Sequence, residues 1–239
     1  MNSERPPWLD AALLDAEAFG LDFPRGTRGA AAREIPRGAA EPAANPVTTP
    51  RAAEAALDAI AREVEACRAC SLGACRTRSV PGQGSAQARL FFVGEAPGAE
   101  EDSQGLPFVG AAGQLLTKMI AAIGLAREQV FIANVLKCRP PENRDPAPAE
   151  MAACRAFLMR QIESVDPDVI VTLGAHATRS LLQREGPLAR MRGERHRCGR
   201  AELVVTYHPA YLLRSPDMKR AAWEDLKRAK SLLDAPSRA

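Results

Sequence analysis

Apolar residues recur in this chain with two different periods, and the alternation between them lays out a fold. Four short runs, residues 89–93, 130–135, 169–173 and 203–206, are apolar almost throughout, as strands buried on both faces should be. Between them lie helical stretches, residues 111–123, 147–165 and 176–183, and a last one follows at 218–233. Ahead of the first strand, residues 52–65 are strong helix formers with a stripe at Ala56, Leu57, Ile60 and Val64. The pattern predicts an α/β fold, a single three-layer domain with a four-stranded, mostly parallel sheet flanked by helices.

The pattern also divides the chain. Residues 51–239 are expected to form the domain, and residues 1–50 an N-terminal extension. Within the extension, Trp8, Leu9, Leu13, Ala16 and Phe19 are spaced as in a short amphipathic helix, a candidate contact for a protein partner. The stretch that follows, to Pro50, is rich in Ala, Pro, Gly and Arg without periodicity, which is linker composition.

In an open parallel sheet, ligands gather at the carboxyl ends of the strands. Four loops fall there, 94–113, 134–139, 174–176 and 206–214. The first reads GEAPGAEEDSQGLPFVGAAG and offers glycines for close backbone approach, carboxylates for proton or hydrogen-bond work, and Phe108. It is not a dinucleotide fingerprint, because Gly94 and Gly98 are separated by Glu-Ala-Pro and a second turn intervenes before the helix. A Gly-Lys-Ser or Gly-Lys-Thr phosphate loop is absent as well.

Composition narrows the setting. With 239 residues, 46% hydrophobic and 26% charged, the chain can bury one sizeable core. No apolar run approaches the roughly 20 residues of a membrane span, and the start, MNSERPPWLD, has no apolar signal segment, so a cytoplasmic protein without membrane contact is expected. The six cysteines are then better explained by a metal or cluster than by disulfides. Cys67 and Cys70 share one turn, and Cys138 and Cys154 are a looser pair, which suits zinc or an iron-sulfur cluster. Cys75 and Cys198 are left over, and a net charge of +3 is too small to argue nucleic-acid binding by itself.

GEAPG, its continuation EDSQGLPFVGAAG, the run NVLKCRPPENRDP, the C-terminal TYHPAYLLR and the four cysteines in this order together resemble a family-4 uracil-DNA glycosylase, over residues 67–233. The resemblance implies a 4Fe-4S cluster held by Cys67, Cys70, Cys138 and Cys154, and a monomeric enzyme of base excision repair that removes uracil from DNA, single- or double-stranded. It implies that His208 is catalytic, donating to uracil O2 where negative charge develops. Asn134 would read O4 and N3–H with its amide, Phe108 would stack on the flipped base, and Gly94 would allow close approach. Glu100 would close the pocket against a methyl group. The family-1 pattern GQDPYH has an aspartate and a tyrosine where this chain has Ala96 and Gly98, so water positioning passes to Glu95, Asn134 or backbone carbonyls.

Duplex entry needs a wedge and phosphate contacts. Leu212 is the first choice for the wedge, with Leu213 and Arg214 beside it, and six arginines between Arg184 and Arg200 are candidates for a phosphate rim. A second class stays open, a non-catalytic or uracil-trapping iron-sulfur DNA-binding protein of the same fold. The trapping branch uses a histidine in a basic insertion of the kind KRRIH, where this chain has PPENRDPAP.

Overall fold

The computed structural model describes residues 49–235, so all but the last two residues of the extension expected over residues 1–50 lie outside the described residues. The chain opens with helix α1 (Pro50–Ala66), started by Pro50 and by Thr49, whose hydroxyl accepts from the Ala52 N–H at 3.4 Å. A short turn of helix, α2 (Leu72–Cys75), precedes strands β1 (Gln83–Gly84) and β2 (Leu90–Gly94). Helices α3 (Ala99–Gln104) and α4 (Ala111–Ala122) lead to β3 (Phe131–Asn134), and α5 (Pro148–Val165) to β4 (Val169–Leu173). After α6 (Ala175–Leu182) and α7 (Leu188–Met191) come β5 (His196–Cys198), β6 (Ala201–Thr206), α8 (Pro209–Arg214) and α9 (Lys219–Asp234).

Among the described residues the sheet has six strands, in the order β1-β3-β2-β4-β6-β5. The expected four are its parallel centre, and the correction is at the edges, where β1 and β5 add antiparallel to β3 and β6. Neither edge carries an apolar run: β1 is Gln-Gly with both residues exposed, and β5 is His-Arg-Cys. Short strands without an apolar face are invisible to periodicity.

Alternate residues of the central strands enter opposite cores, as the two-residue pleat requires. Leu90, Phe92, Ile132, Val169, Val171 and Val204 face one core, covered by α4, α8 and α9. Phe91, Val93, Phe131, Ile170, Leu203 and Val205 face the other, covered by α5 to α7. Burial on both faces makes the sheet a rigid platform, and truncating a side chain such as Leu158 of α5 should cost about 2–5 kcal/mol. A third, smaller cluster joins Leu72, Leu136, Cys138 and Cys154, with Ala96 packed against it. This cluster lies just behind the loop that follows β2.

Candidate active site

Parallel registration sets the site. Gly94, last in β2, pairs with Asn134, last in β3. A Cβ on Gly94 would lie 2.3 Å from Asn134 Oδ1 and 2.5 Å from Phe108 Cζ, so only glycine lets the amide and the ring close around this strand end. Phe108 itself has φ of 52°, rare for an aromatic residue. Close packing enforces it, because a Cβ on Gly113 would fall 1.9 Å from the Phe108 carbonyl oxygen.

The acidic loop is held by backbone hydrogen bonds. Glu101 is buried and accepts from the N–H groups of Gly98 (3.0 Å), Val109 (2.9 Å) and Gly110 (3.0 Å), tying both ends of the loop to the first turn of α3. Asp102, also buried, accepts from the Thr77 N–H at 3.0 Å. Each buried carboxylate is thus bonded to backbone, as burial of a charge demands. Glu100 is exposed, with Oε1 near Gly110 rather than in the cavity.

His208 caps α8, and its Nδ1 accepts from the Ala210 N–H at 3.1 Å. Burial, with the nearby Arg214 cation adding to it and Glu101 opposing, lowers its pKa to about 4. The ring is therefore neutral near pH 7, and with Nδ1 occupied as an acceptor its proton sits on Nε2. The Phe108 and His208 rings lie 5.7 Å apart at 32°.

Asn134 is 1% exposed, and its Oδ1 has no hydrogen-bond partner. Such a group normally finds one. Glu95 sits nearby with its pKa raised by burial, against the opposing influence of His176 and with a further push from Asp145. His176 Nε2 is 4.0 Å from Glu95 Oε2 and 3.7 Å from Asp145 Oδ2, and these three groups can hold a small cation or share a proton.

Glu95, Phe108, Asn134, His208 and Arg214 line one cavity of about 450 Å³ at the carboxyl ends of the strands. Glu101, Asn143 and Asp145 line it too and are absent from the sequence-derived set. Asn143 and Asp145 were detectable as polar residues in the turn that follows the paired prolines Pro140 and Pro141.

Two expectations are corrected. Leu212 is fully buried against the first core, because α8 is a helix that turns this side chain inward; Leu213 (45% exposed) and Tyr211 (37%) face out instead. Five of the six arginines of the run are engaged by acids, and Arg190 is exposed outside these pairs. Arg184 pairs with Glu194, Arg195 and Arg197 with Glu202, and Arg200 with Asp166. Arg192 pairs with Asp225 at 2.8 Å and stacks on Tyr207. The antiparallel β5–β6 pair also carries Arg197 and Arg200 to the amino-terminal end of β6, away from His208.

Cys67, Cys70, Cys138 and Cys154 line a second, small cavity together with Arg76 and Lys137, whereas Cys75 is exposed and Cys198 lies elsewhere. Arg76 Nη1 donates to Cys138 Sγ at 3.0 Å, and the Lys137 N–H donates to Cys154. Burial raises the pKa of both thiols, with these donors opposing. Burial likewise lowers the Lys137 pKa to about 7, with Cys154 opposing. Among the described residues, Glu95, Asp145 and His176 bring three ligand atoms within 4.8 Å of one another.

A mixed α/β sheet with a parallel centre, a cavity at its carboxyl edge and a buried histidine on the cavity wall suits an enzyme that binds a small planar ligand there, such as a DNA-base glycosylase. Residues 81–227 match the family model described as the uracil DNA glycosylase superfamily. Similar relatives include the type-4 uracil-DNA glycosylases of Sulfurisphaera tokodaii (46% identical over 191 residues, 76% of this chain and 87% of the relative) and Thermotoga maritima (45% over 184 residues, 75% and 96%). That of Archaeoglobus fulgidus is 47% identical over 180 residues, covering 72% of this chain and 90% of its own. The chain belongs to the type-4 branch of the uracil-DNA glycosylase superfamily. No helix among the described residues is long and apolar enough to cross a membrane.

Proposed function

We propose that this chain hydrolyses the N-glycosidic bond of deoxyuridine in DNA, releasing uracil and leaving an abasic site for base excision repair. The observation that carries the base assignment is the buried Asn134 side chain on the wall of the cavity, whose Oδ1 has no hydrogen-bond partner. One face of that amide accepts from N3–H and the other donates to O4; cytosine offers the reverse pattern. Phe108, fixed by Gly94 and Gly113, supplies the stacking surface for a base rotated out of the helix.

As the C1′–N1 bond lengthens, its electron pair moves into the uracil ring and positive charge builds on the sugar. His208 donates from Nε2–H to O2, an interaction that strengthens as that oxygen becomes anionic; such a donor is typically worth about 2.7–4 kcal/mol. Glu95 accepts a hydrogen bond from the water that completes the sugar. Its place on the cavity wall supports this role over the backbone carbonyls. Leu213, not Leu212, takes the wedge role, because it is the exposed leucine of α8. No histidine stands in residues 140–148 to trap the sugar, which argues for turnover.

Cys67, Cys70, Cys138 and Cys154 would hold a 4Fe-4S cluster, a reading supported by their convergence on one small cavity from two separate pairs in the sequence. When bound, the cluster cross-links the end of α1, the loop after β3 and α5, and its contribution is structural.

Single-turnover excision from matched uracil and cytosine oligonucleotides tests the assignment. Asn134→Asp replaces the donor facing O4 with an acceptor, so uracil excision should fall by about 10⁴-fold, with weak cytosine activity appearing. A wild-type rate on uracil would show that Asn134 does not read the base.

A further inference from the structure

Lys137 lies between the two cavities and has no part in the chemistry above. It is 1% exposed, and an ammonium so placed costs several kcal/mol unless something compensates its charge. Its Nζ donates to the Asn134 carbonyl at 2.8 Å and to Gln161 Oε1 at 2.6 Å; Gln161 in turn donates to the Pro81 carbonyl at 2.7 Å. An ammonium has three N–H donors, and these two acceptors, both neutral, take only two of them. The charged form is therefore favoured only if negative charge lies close by.

The cysteine cavity is where negative charge can arise, since Lys137 lines it and its own N–H donates to Cys154. Arg76 reaches the same cavity from α2, bonded to Cys138. Four thiolates outweigh the positive charge of an iron-sulfur core, so the filled centre is an anion and two cations already flank its site. Lys137 therefore has one end of its environment in the cysteine centre and the other on the backbone of the residue that faces the base.

We propose that Lys137 is a positioning residue with two linked tasks: with Arg76 it supplies the countercharge of the four-cysteine centre, and by holding the Asn134 carbonyl it fixes the amide that selects uracil. This rests on the cluster and Asn134 assignments above. It makes the centre more than a cross-link, because the cation that balances it also sets the backbone of β3 at the point of recognition. Ala96 gives a second, apolar contact between the two regions, packing on the cysteines and lining the base cavity.

Two variants of the anaerobically purified, full-length protein separate the tasks. Lys137→Met removes both the charge and the bond to Asn134. Gln161→Glu sets a carboxylate against the ammonium, cancelling its charge while leaving the bond to Asn134 in place; it also gives up the donation to the Pro81 carbonyl, so its folding is checked by thermal melting too. Both should move the reduction potential of the centre to more negative values and speed iron release to a chelator by ~10- to 100-fold. Only Lys137→Met should also erode the preference for uracil over cytosine, by about tenfold or more, through kcat rather than KM. An unchanged potential and chelator half-life in Gln161→Glu overturns the countercharge task even if Lys137→Met fails to fold. Unchanged discrimination in a folded Lys137→Met, checked by thermal melting, overturns the positioning task; should that variant not fold, Lys137→Gln, which retains an N–H donor, must keep discrimination intact or the proposal falls. Failure of the underlying assignments is distinct: zinc in place of iron, or full uracil activity in Asn134→Asp, appears without any change at Lys137.

Discussion

The Ala210 N–H occupies His208 Nδ1 at 3.1 Å, and that single bond leaves Nε2–H as the only donor the ring can aim at a base. With a pKa of about 4 in the fold, against about 6.5 for a free imidazole, the ring should stay uncharged across the working pH range. The acid limb of the pH–rate profile should then belong to Glu95, whose burial-raised pKa makes excision fall on acidification above the ordinary carboxylate range, and Glu95→Gln should abolish that limb. Stability carries the mark of His208 instead. Between the two pKa values the unfolded chain binds the extra proton, so stability rises with pH through that window and is lost as pH falls from 6.5 toward 4. The loss should be on the order of 3 kcal/mol, visible as urea midpoints at pH 4.5 and 7.5 that draw together in His208→Gln. At this scale the sequence disclosed types and neighbours: His208, Asn134 and Phe108 stand out from their motifs. It could not disclose that Glu101 rather than Glu100 is turned inward, because adjacent helical residues differ by about 100° and only the packing decides which one the backbone claims.

Among the elements, α8 shows what periodicity can and cannot supply. Tyr211, Leu212 and Leu213 read as one apolar patch in sequence, yet the helix splits them, burying the middle one and exposing its neighbours. Leu212→Ala should accordingly cost about 2–5 kcal/mol in chemical denaturation. Leu213→Ala should leave stability near wild type while slowing excision from duplex more than from single strands, where no stack must be opened. Equal losses on both substrates would remove Leu213 from the wedge role. The central strands and long helices were legible because their burial is continuous and their cores lie on known faces. The edge strands, α3 and α8 were not, since each is six residues or fewer and is defined by contacts distant in sequence, such as Arg197 opposite Glu202.

For the molecule as a whole, net charge and charge placement separate. A chain with 32 basic and 29 acidic residues attracts DNA only where its cations are unpaired. Arg197 and Arg200 are engaged by Glu202 and Asp166, whereas Arg214 is exposed on the cavity wall. Arg214→Gln should therefore lower the slope of log affinity against log salt by about one, and Arg197→Gln or Arg200→Gln should leave it unchanged. Fluorescence anisotropy over a salt series decides between these outcomes. The two abbreviated strands at the sheet margins have a consequence outside repair. Exposed sheet margins invite other chains to pair, and here they end in a two-residue Gln-Gly segment and an arginine-bearing His-Arg-Cys segment that give a second copy little to extend. What adhesiveness remains among the described residues rests on Leu106, Tyr211 and Leu213, and two of these belong to the helix beside the base cavity. Among the described residues the exposed large apolar side chains thus gather mainly on the helix proposed to meet DNA, where bound substrate would shield them from other copies.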